Sequence, residues 1–326
     1  WDQQRDVDDS IAWEGNPVYG WIQKNPKADG TLDDIYADGL RIYTTIDSRM
    51  QQHAQDAMRD HMSDLQRRFF REKKGSPSAP YTSDPEELSP ATRKQLIRNA
   101  IKQSERYRVA KVAGLSDAEI EQQFNTPFDM TMFSYDGPVD TTMTPRDSIL
   151  YTKHFLRAGF MAMDPTNGHV KAYVGGPDFR FFQYDMVSRG KRQVGSTIKP
   201  FLYALAMEGD ESGSDSFTPC SMLSNTQPVI TLPDGQTWMP RNSGKARVGE
   251  MVDLRWALTN SNNWISARLI QEVHPSELVK YMHNMGITSK LPAVPSLALG
   301  PAEISLREMV TGYSAFANQG SYSQPL

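Results

Sequence analysis

Gln193-Val-Gly-Ser-Thr-Ile-Lys-Pro-Phe-Leu-Tyr-Ala-Leu-Ala206 places Ser196 and Lys199 three residues apart, directly ahead of a proline and an apolar run. Proline is tolerated in a helix only in the first turn, because it has no N–H to bond the preceding turn. Pro200 therefore puts Ser196 at or next to the start of a helix that continues through Met207. Positions i and i+3 share a helix face, so Lys199 is expected to reach Ser196. A serine hydroxyl is a weak nucleophile and needs a base. A buried lysine sheds its proton more readily and can act as one. The unpaired N–H groups and the positive dipole end of the helix favour an alkoxide and a developing oxyanion. With 28 serines and 14 lysines in 326 residues, the Ser-x-x-Lys spacing is expected about once by chance. A second copy, Ser188-Arg-Gly-Lys191, holds a glycine and precedes no apolar helix, so it reads as a loop coincidence.

The second feature is Ser261-Asn-Asn263. Asp253 is positioned to cap a short helix through Leu258, and residues 264–270 open another. Ser261 and Asn263 would then project from a tight corner between helices. A hydroxyl there can relay a proton and a carboxamide can hold a substrate amide. An ordinary helix-to-helix loop has the same composition, since serine and asparagine favour such corners. Other chemistries lack their residues. No phosphate-loop or dinucleotide fingerprint occurs, and Asn242-Ser-Gly-Lys245 is only half of one. The six histidines form no ligand-like pair, and the single cysteine, Cys220, excludes a thiolate-rich zinc site. No metal and no cofactor are expected. A net charge of −4 argues against a nucleic-acid surface built on bulk positive charge. The 326 residues contain no run of 18 apolar residues.

Outward from these motifs, residues 1–38 read as an irregular lead-in. Residues 40–46, rich in β-branched and aromatic types, predict a strand. Asp47 would cap a helix through about Arg71, with apolar residues every three to four positions. Residues 73–90 have loop composition, and residues 91–112 read as a helix. Ser116 and Glu119 fit a capping box. A short strand is expected near residues 130–135, and Pro145 would start a helix through Leu156. Residues 159–163 and 169–174 predict a hairpin about Asp164-Pro-Thr-Asn-Gly168. Helices dominate from Ser196, one of them opened by a capping box at Ser305 and Glu308. This order indicates an α/β (α+β) enzyme with an antiparallel sheet flanked by helices.

Ser-x-x-Lys followed by a Ser-x-Asn element is the pattern of the penicillin-binding proteins and serine β-lactamases. Gly39-Leu-Arg-Ile-Tyr-Thr-Thr-Ile-Asp-Ser-Arg-Met-Gln51 resembles the opening of the transpeptidase domain in bifunctional, class A penicillin-binding proteins. Phe160-Met-Ala-Met-Asp-Pro-Thr-Asn-Gly168 and Val170-Lys-Ala-Tyr-Val-Gly-Gly176 resemble it too. So do Arg192-Gln-Val-Gly-Ser-Thr-Ile-Lys-Pro200, Trp238-Met-Pro-Arg-Asn242, and the stretch from Leu297-Ala-Leu-Gly300 through Phe316-Ala-Asn318. The resemblance covers residues 39–72 and 159–326. It implies a transpeptidase domain split by a mostly helical insertion at 73–158, which carries no catalytic grouping of its own.

That resemblance implies Ser196 as nucleophile, Lys199 as its base, Ser261 as proton relay and Asn263 as substrate-binding residue. The substrates it implies are peptidoglycan stem peptides ending in D-alanyl-D-alanine, with β-lactam antibiotics as mimics. The location it implies is the extracytoplasmic face of the cell membrane, the periplasm, with a membrane anchor and a glycosyltransferase domain ahead of this sequence. The family's third motif, Lys-Thr/Ser-Gly on a strand, is expected beyond Leu326, and without it the 326 residues are expected to be catalytically incompetent. A D,D-carboxypeptidase or β-lactamase-like hydrolase and a non-catalytic β-lactam sensor are the competing readings. Ser261-Asn-Asn263 differs from the Ser-Asp-Asn form of class A β-lactamases, and no carboxylate can be placed beside Ser196 to activate a hydrolytic water.

Overall fold

The computed structural model describes residues 13–14, 19–76, 79–81, 88–208, 217–232 and 235–326. Contacts divide the chain into residues 1–44 and 45–326. In the first unit the described residues include turns and the short helix α1 (Trp21–Lys24). Lys27 pairs with Asp38 at 2.7 Å and Asp33 at 3.5 Å. The strand expected over residues 40–46 does not form. Ile42 and Tyr43 are 79% and 89% exposed. A strand needs a pleated neighbour to satisfy its backbone, and local composition does not supply one.

The second unit begins with α2 (Ser48–Glu72), capped as expected by Asp47, which accepts from the N–H groups of Arg49 and Met50. Two glutamines tie this helix to distant backbone. Gln51 donates to the Tyr173 carbonyl at 2.9 Å and accepts from the Tyr173 N–H at 2.7 Å. Its amide thereby completes a strand edge as a neighbouring strand would. Gln66, 3% exposed, donates to the His154 carbonyl at 2.9 Å and accepts from the Leu156 N–H at 2.8 Å, in a turn and not a strand. The helix expected over 91–112 is two helices, α3 (Pro90–Lys102) and α4 (Glu105–Val112). Ser104 interrupts it by donating to the Ile101 carbonyl and accepting from the Tyr107 N–H. An N-cap hydroxyl competes with helix continuation in this way. The capping box at Ser116 and Glu119 opens α5 (Asp117–Asn125). β1 (Phe128–Met132) pairs antiparallel with β2 (Val139–Met143), and Pro145 starts α6 (Pro145–Lys153).

The predicted hairpin is present as β3 (Phe160–Met163) and β4 (Val170–Val174). Beyond it come β5 (Lys191–Gln193), a 3₁₀ turn (Gly195–Ile198) and α7 (Lys199–Glu208). β6 (Met222–Ser224) pairs with β9 (Met251–Asp253), and β7 (Ile230–Thr231) pairs with β8 (Thr237–Trp238). Then follow α8 (Leu254–Thr259), α9 (Asn263–Val273), α10 (Pro275–Asn284), a 3₁₀ turn (Pro295–Leu299), β10 (Glu303–Ser305) and α11 (Leu306–Ala317). The α/β class with antiparallel pairing flanked by helices is as expected. Among the described residues, however, the pairing falls into five two-stranded ladders instead of one sheet. Strands of two to five residues offer too few rungs to extend the pairing sideways.

The main core surrounds α7. Ile198, Phe201, Leu202 and Ala206 pack with Ile265, Leu269 and Ile270 of α9, with Leu278 and Met282 of α10, and with Ala315 of α11. A second cluster joins Met62 of α2 to Phe133, Tyr135, Phe155 and Phe182. Burying an apolar side chain of this size stabilises by about 1.5–3 kcal/mol. The helix that carries Lys199 thus sits inside the main core, with Lys199, Phe201, Leu202, Tyr203 and Ala206 buried.

Candidate active site

Pro200 sets the local geometry at Ser196. It has no N–H, so the Ser196 carbonyl cannot accept the bond from residue 200 that an α-helix requires. It accepts instead from the Lys199 N–H, and the first turn tightens to 3₁₀. The turn is anchored from behind. Val194 N–H donates to the Ala302 carbonyl at 3.1 Å and Gly195 N–H donates to the Gly300 carbonyl at 2.9 Å. β5 pairs with β10, with Gln193 opposite Glu303. Gly300, at φ 72°, lies so close that a Cβ there would sit 2.0 Å from the Gly195 carbonyl oxygen. Ser196 itself is exposed. Among the described residues its hydroxyl makes no side-chain hydrogen bond.

Lys199 is the opposite case, 1% exposed. Its Nζ donates to the Ser261 carbonyl at 2.6 Å, to Ser261 Oγ at 3.0 Å and to Asn263 Oδ1 at 2.7 Å. Burial disfavours the charged form and pulls its pKa down to about 8. The structure therefore brings Lys199, Ser261 and Asn263 into one bonded cluster. It does not bond Lys199 to Ser196, contrary to the direct contact expected from the i, i+3 spacing. All three ammonium protons already have acceptors, and an ammonium has no lone pair with which to accept the Ser196 proton.

Ser261 sits where it does because α8 ends in a Schellman motif. The Asn262 N–H bonds the Ala257 carbonyl and the Ser261 N–H bonds the Leu258 carbonyl. This puts Ser261 at φ 51°, a left-handed position that glycine usually takes. Asn262, buried, caps α9 by accepting from the Trp264 and Ile265 N–H groups and donates to Asn225 Oδ1 at 2.8 Å. Asn263 is held on both sides by the 240–242 segment. Its N–H donates to Asn242 Oδ1 and its Nδ2 donates to the Arg241 carbonyl, each at 2.7 Å. Trp264 Nε1 donates to the Pro240 carbonyl.

Asn225 is a structural member of the site that lies in none of the sequence motifs, and Asn242 and Asn262 lie in quoted motifs without a role assigned to them. The alternative Ser188-x-x-Lys191 is no dyad. Ser188 Oγ donates to the Asp185 carboxylate, which also accepts from Tyr173, and Lys191 lies exposed on β5.

Known protein families match this chain over two segments. Residues 158–326, just over half of the chain, match the penicillin binding protein transpeptidase domain. Residues 76–156 match the penicillin-binding protein middle domain. The chain is 34% identical over 171 residues to penicillin-binding protein 2D of Bacillus subtilis, which covers 52% of this chain and 24% of that protein. It is 33% identical over 177 residues to penicillin-binding protein 1A of Neisseria cinerea, covering 53% and 21% respectively. The chain thus spans about a quarter of the length of the curated relatives it matches. Its fold is similar to that of penicillin-binding protein 1A from Haemophilus influenzae, with a TM-score of 0.58 at 21% identity, over 99% of this chain and 47% of that one. With Ser196, Lys199, Ser261 and Asn263 all inside the matched segment, the chain belongs to the penicillin-binding protein transpeptidase domain family.

Proposed function

We propose that this chain carries the acyl-transfer site of a D,D-transpeptidase that cross-links peptidoglycan stem peptides and is a target of β-lactams. The observation that carries the reading is the buried Lys199, its pKa drawn down to about 8, hydrogen-bonded to both Ser261 and Asn263. With that pKa roughly a tenth of the lysine is neutral at pH 7. The neutral amine takes the Ser196 proton as Oγ attacks the carbonyl carbon of the penultimate D-alanine. The proton passes through the Ser261 hydroxyl to the leaving amine of the terminal D-alanine. An amine of a second stem peptide then attacks the acyl-enzyme carbonyl, forming the cross-link and returning the proton to Ser196. The Ser196 N–H supplies one oxyanion donor, and the Asn263 carboxamide orients the substrate amide. Residues 39–72 and 159–326 form the transpeptidase part in this reading, and 73–158 is an inserted, non-catalytic part. The resemblance of residues 39–51 to class A members supports a longer, membrane-anchored parent that also bears glycosyltransferase activity and works outside the membrane.

Incubation of the full-length parent protein with a fluorescent penicillin, followed by mass spectrometry, tests this. A stable adduct on Ser196 is expected, together with turnover of a D-alanyl-D-alanine stem peptide in the presence of an acceptor amine. Labelling that persists in Ser196→Ala, or an adduct on Ser188, would overturn it. Rapid loss of the label to water would favour a hydrolase.

A further inference from the structure

Tyr313 of α11 lies against the turn that presents Ser196. Its hydroxyl donates to the Thr197 carbonyl at 2.7 Å, across 116 residues of chain. Its ring meets Phe201 edge-on at 5.3 Å and Phe316 at 5.6 Å. Phe201 can come this near because α11 has glycine at 312, where a Cβ would meet the Phe201 ring at 3.0 Å. Tyr313 is 37% exposed, so its ring is not chiefly a core filler. Thr197 is exposed as well and spends its own hydroxyl on the Val194 carbonyl at 2.6 Å.

We propose that Tyr313 is a positioning residue for the nucleophile: its hydroxyl holds the Thr197 carbonyl and so fixes the tight turn that presents Ser196. This rests on the reading of Ser196 as the acylated residue. A 3₁₀ turn has poorer hydrogen-bond geometry than an α-helix and relaxes readily. Here Pro200 has removed the α-type bond that would otherwise stiffen it. The strand and glycine contacts hold the turn from the side of residues 193–195, and none of them reaches past Gly195. The Tyr313 hydroxyl holds the other side, one residue after Ser196. The proposed binding group, Asn263, lies on another element, and among the described residues no hydrogen bond joins it to Tyr313. Losing the hydroxyl should therefore impair the chemical step and spare binding.

The test measures acylation of the full-length protein by a chromogenic cephalosporin, separating the binding constant from the acylation rate constant, with the melting temperature alongside. Tyr313→Phe keeps the ring and removes only the donor. The expected result is an acylation rate constant lower by about tenfold or more, because small misplacements of a nucleophile are expensive. The binding constant should stay within about twofold of wild type. Phe316→Leu is the packing control, removing an aromatic contact on the same helix without touching the hydroxyl. It should lower the melting temperature and leave the rate constant within about twofold. An unchanged rate constant in Tyr313→Phe, or an equal loss in Phe316→Leu, would overturn the positioning role while leaving Ser196 as nucleophile. A wild-type protein that takes no label at Ser196 would overturn both.

Discussion

Lys199 and Ser261 carry the sharpest consequences at the scale of single residues. If the neutral Lys199 amine is the base, the acylation rate should rise with pH up to about 8 and level off above it, since burial sets its pKa there. A pH profile of β-lactam acylation checks this, and a profile flat from pH 6 to 9 would remove lysine from the role. Ser261 occupies a left-handed backbone position that costs a non-glycine residue about 1–2 kcal/mol. Ser261→Gly should therefore keep or raise the melting temperature while sharply lowering acylation. A parallel fall in both would mean that the hydroxyl is mainly structural. The sequence showed Ser261 as one of two polar groups at a corner. It did not show that the carbonyl of the same residue would be a second acceptor for Lys199.

At the scale of elements, the turn before Ser196 and the corner before α9 hold the site. Gly300→Ala would drive a Cβ into the Gly195 carbonyl, where backbone has little room to give. Both melting temperature and acylation rate should fall, and a neutral result would show that the Leu297–Gly300 segment does not brace the nucleophile turn. Asn262→Ala removes an N-cap worth about 1 kcal/mol and leaves Asn225 Oδ1 buried without its donor at a further cost of about 1–3 kcal/mol. Chemical denaturation should show a loss near the sum. Helix starts were legible along the chain because capping is local: Asp47, Ser116, Asp253 and Ser305 each cap the helix expected of them. The break at Ser104 uses the same chemistry. It was missed because apolar spacing alone runs straight through it.

For the molecule as a whole, Glu308 shows how a local motif becomes a long-range tie. Its carboxylate accepts from Ser305 in the capping box and also from the backbone and hydroxyl groups of Thr288 and Ser289. Burial pushes its pKa up, but the hydrogen bonds outweigh this and bring it down to about 2. A carboxylate with a depressed folded-state pKa contributes stability that is present in full above its unfolded pKa, about 4.5, and is lost as pH falls towards 2. The wild-type melting temperature should drop over that window. Glu308→Gln should be less stable at pH 7, and its acid loss should be correspondingly smaller. Equal acid slopes for the two proteins would show that Glu308 is not the titrating group.

What the sequence determined by itself was local. The Ser196, Lys199 and Pro200 spacing, the Ser261-Asn-Asn263 corner, the hairpin about Gly168 and the helix caps all depend on residues within a few positions of one another. Their geometry follows from backbone sterics and one or two hydrogen bonds. The tertiary structure decided what closes over long loops. It paired Lys199 with acceptors 62 and 64 residues away and not with Ser196. It set the 240–242 segment against Asn263 and buried the lysine deeply enough to lower its pKa. It also left residues 40–46 without a strand partner. Each of these outcomes depends on which distant surface arrives beside a group, and spacing along the chain does not encode that.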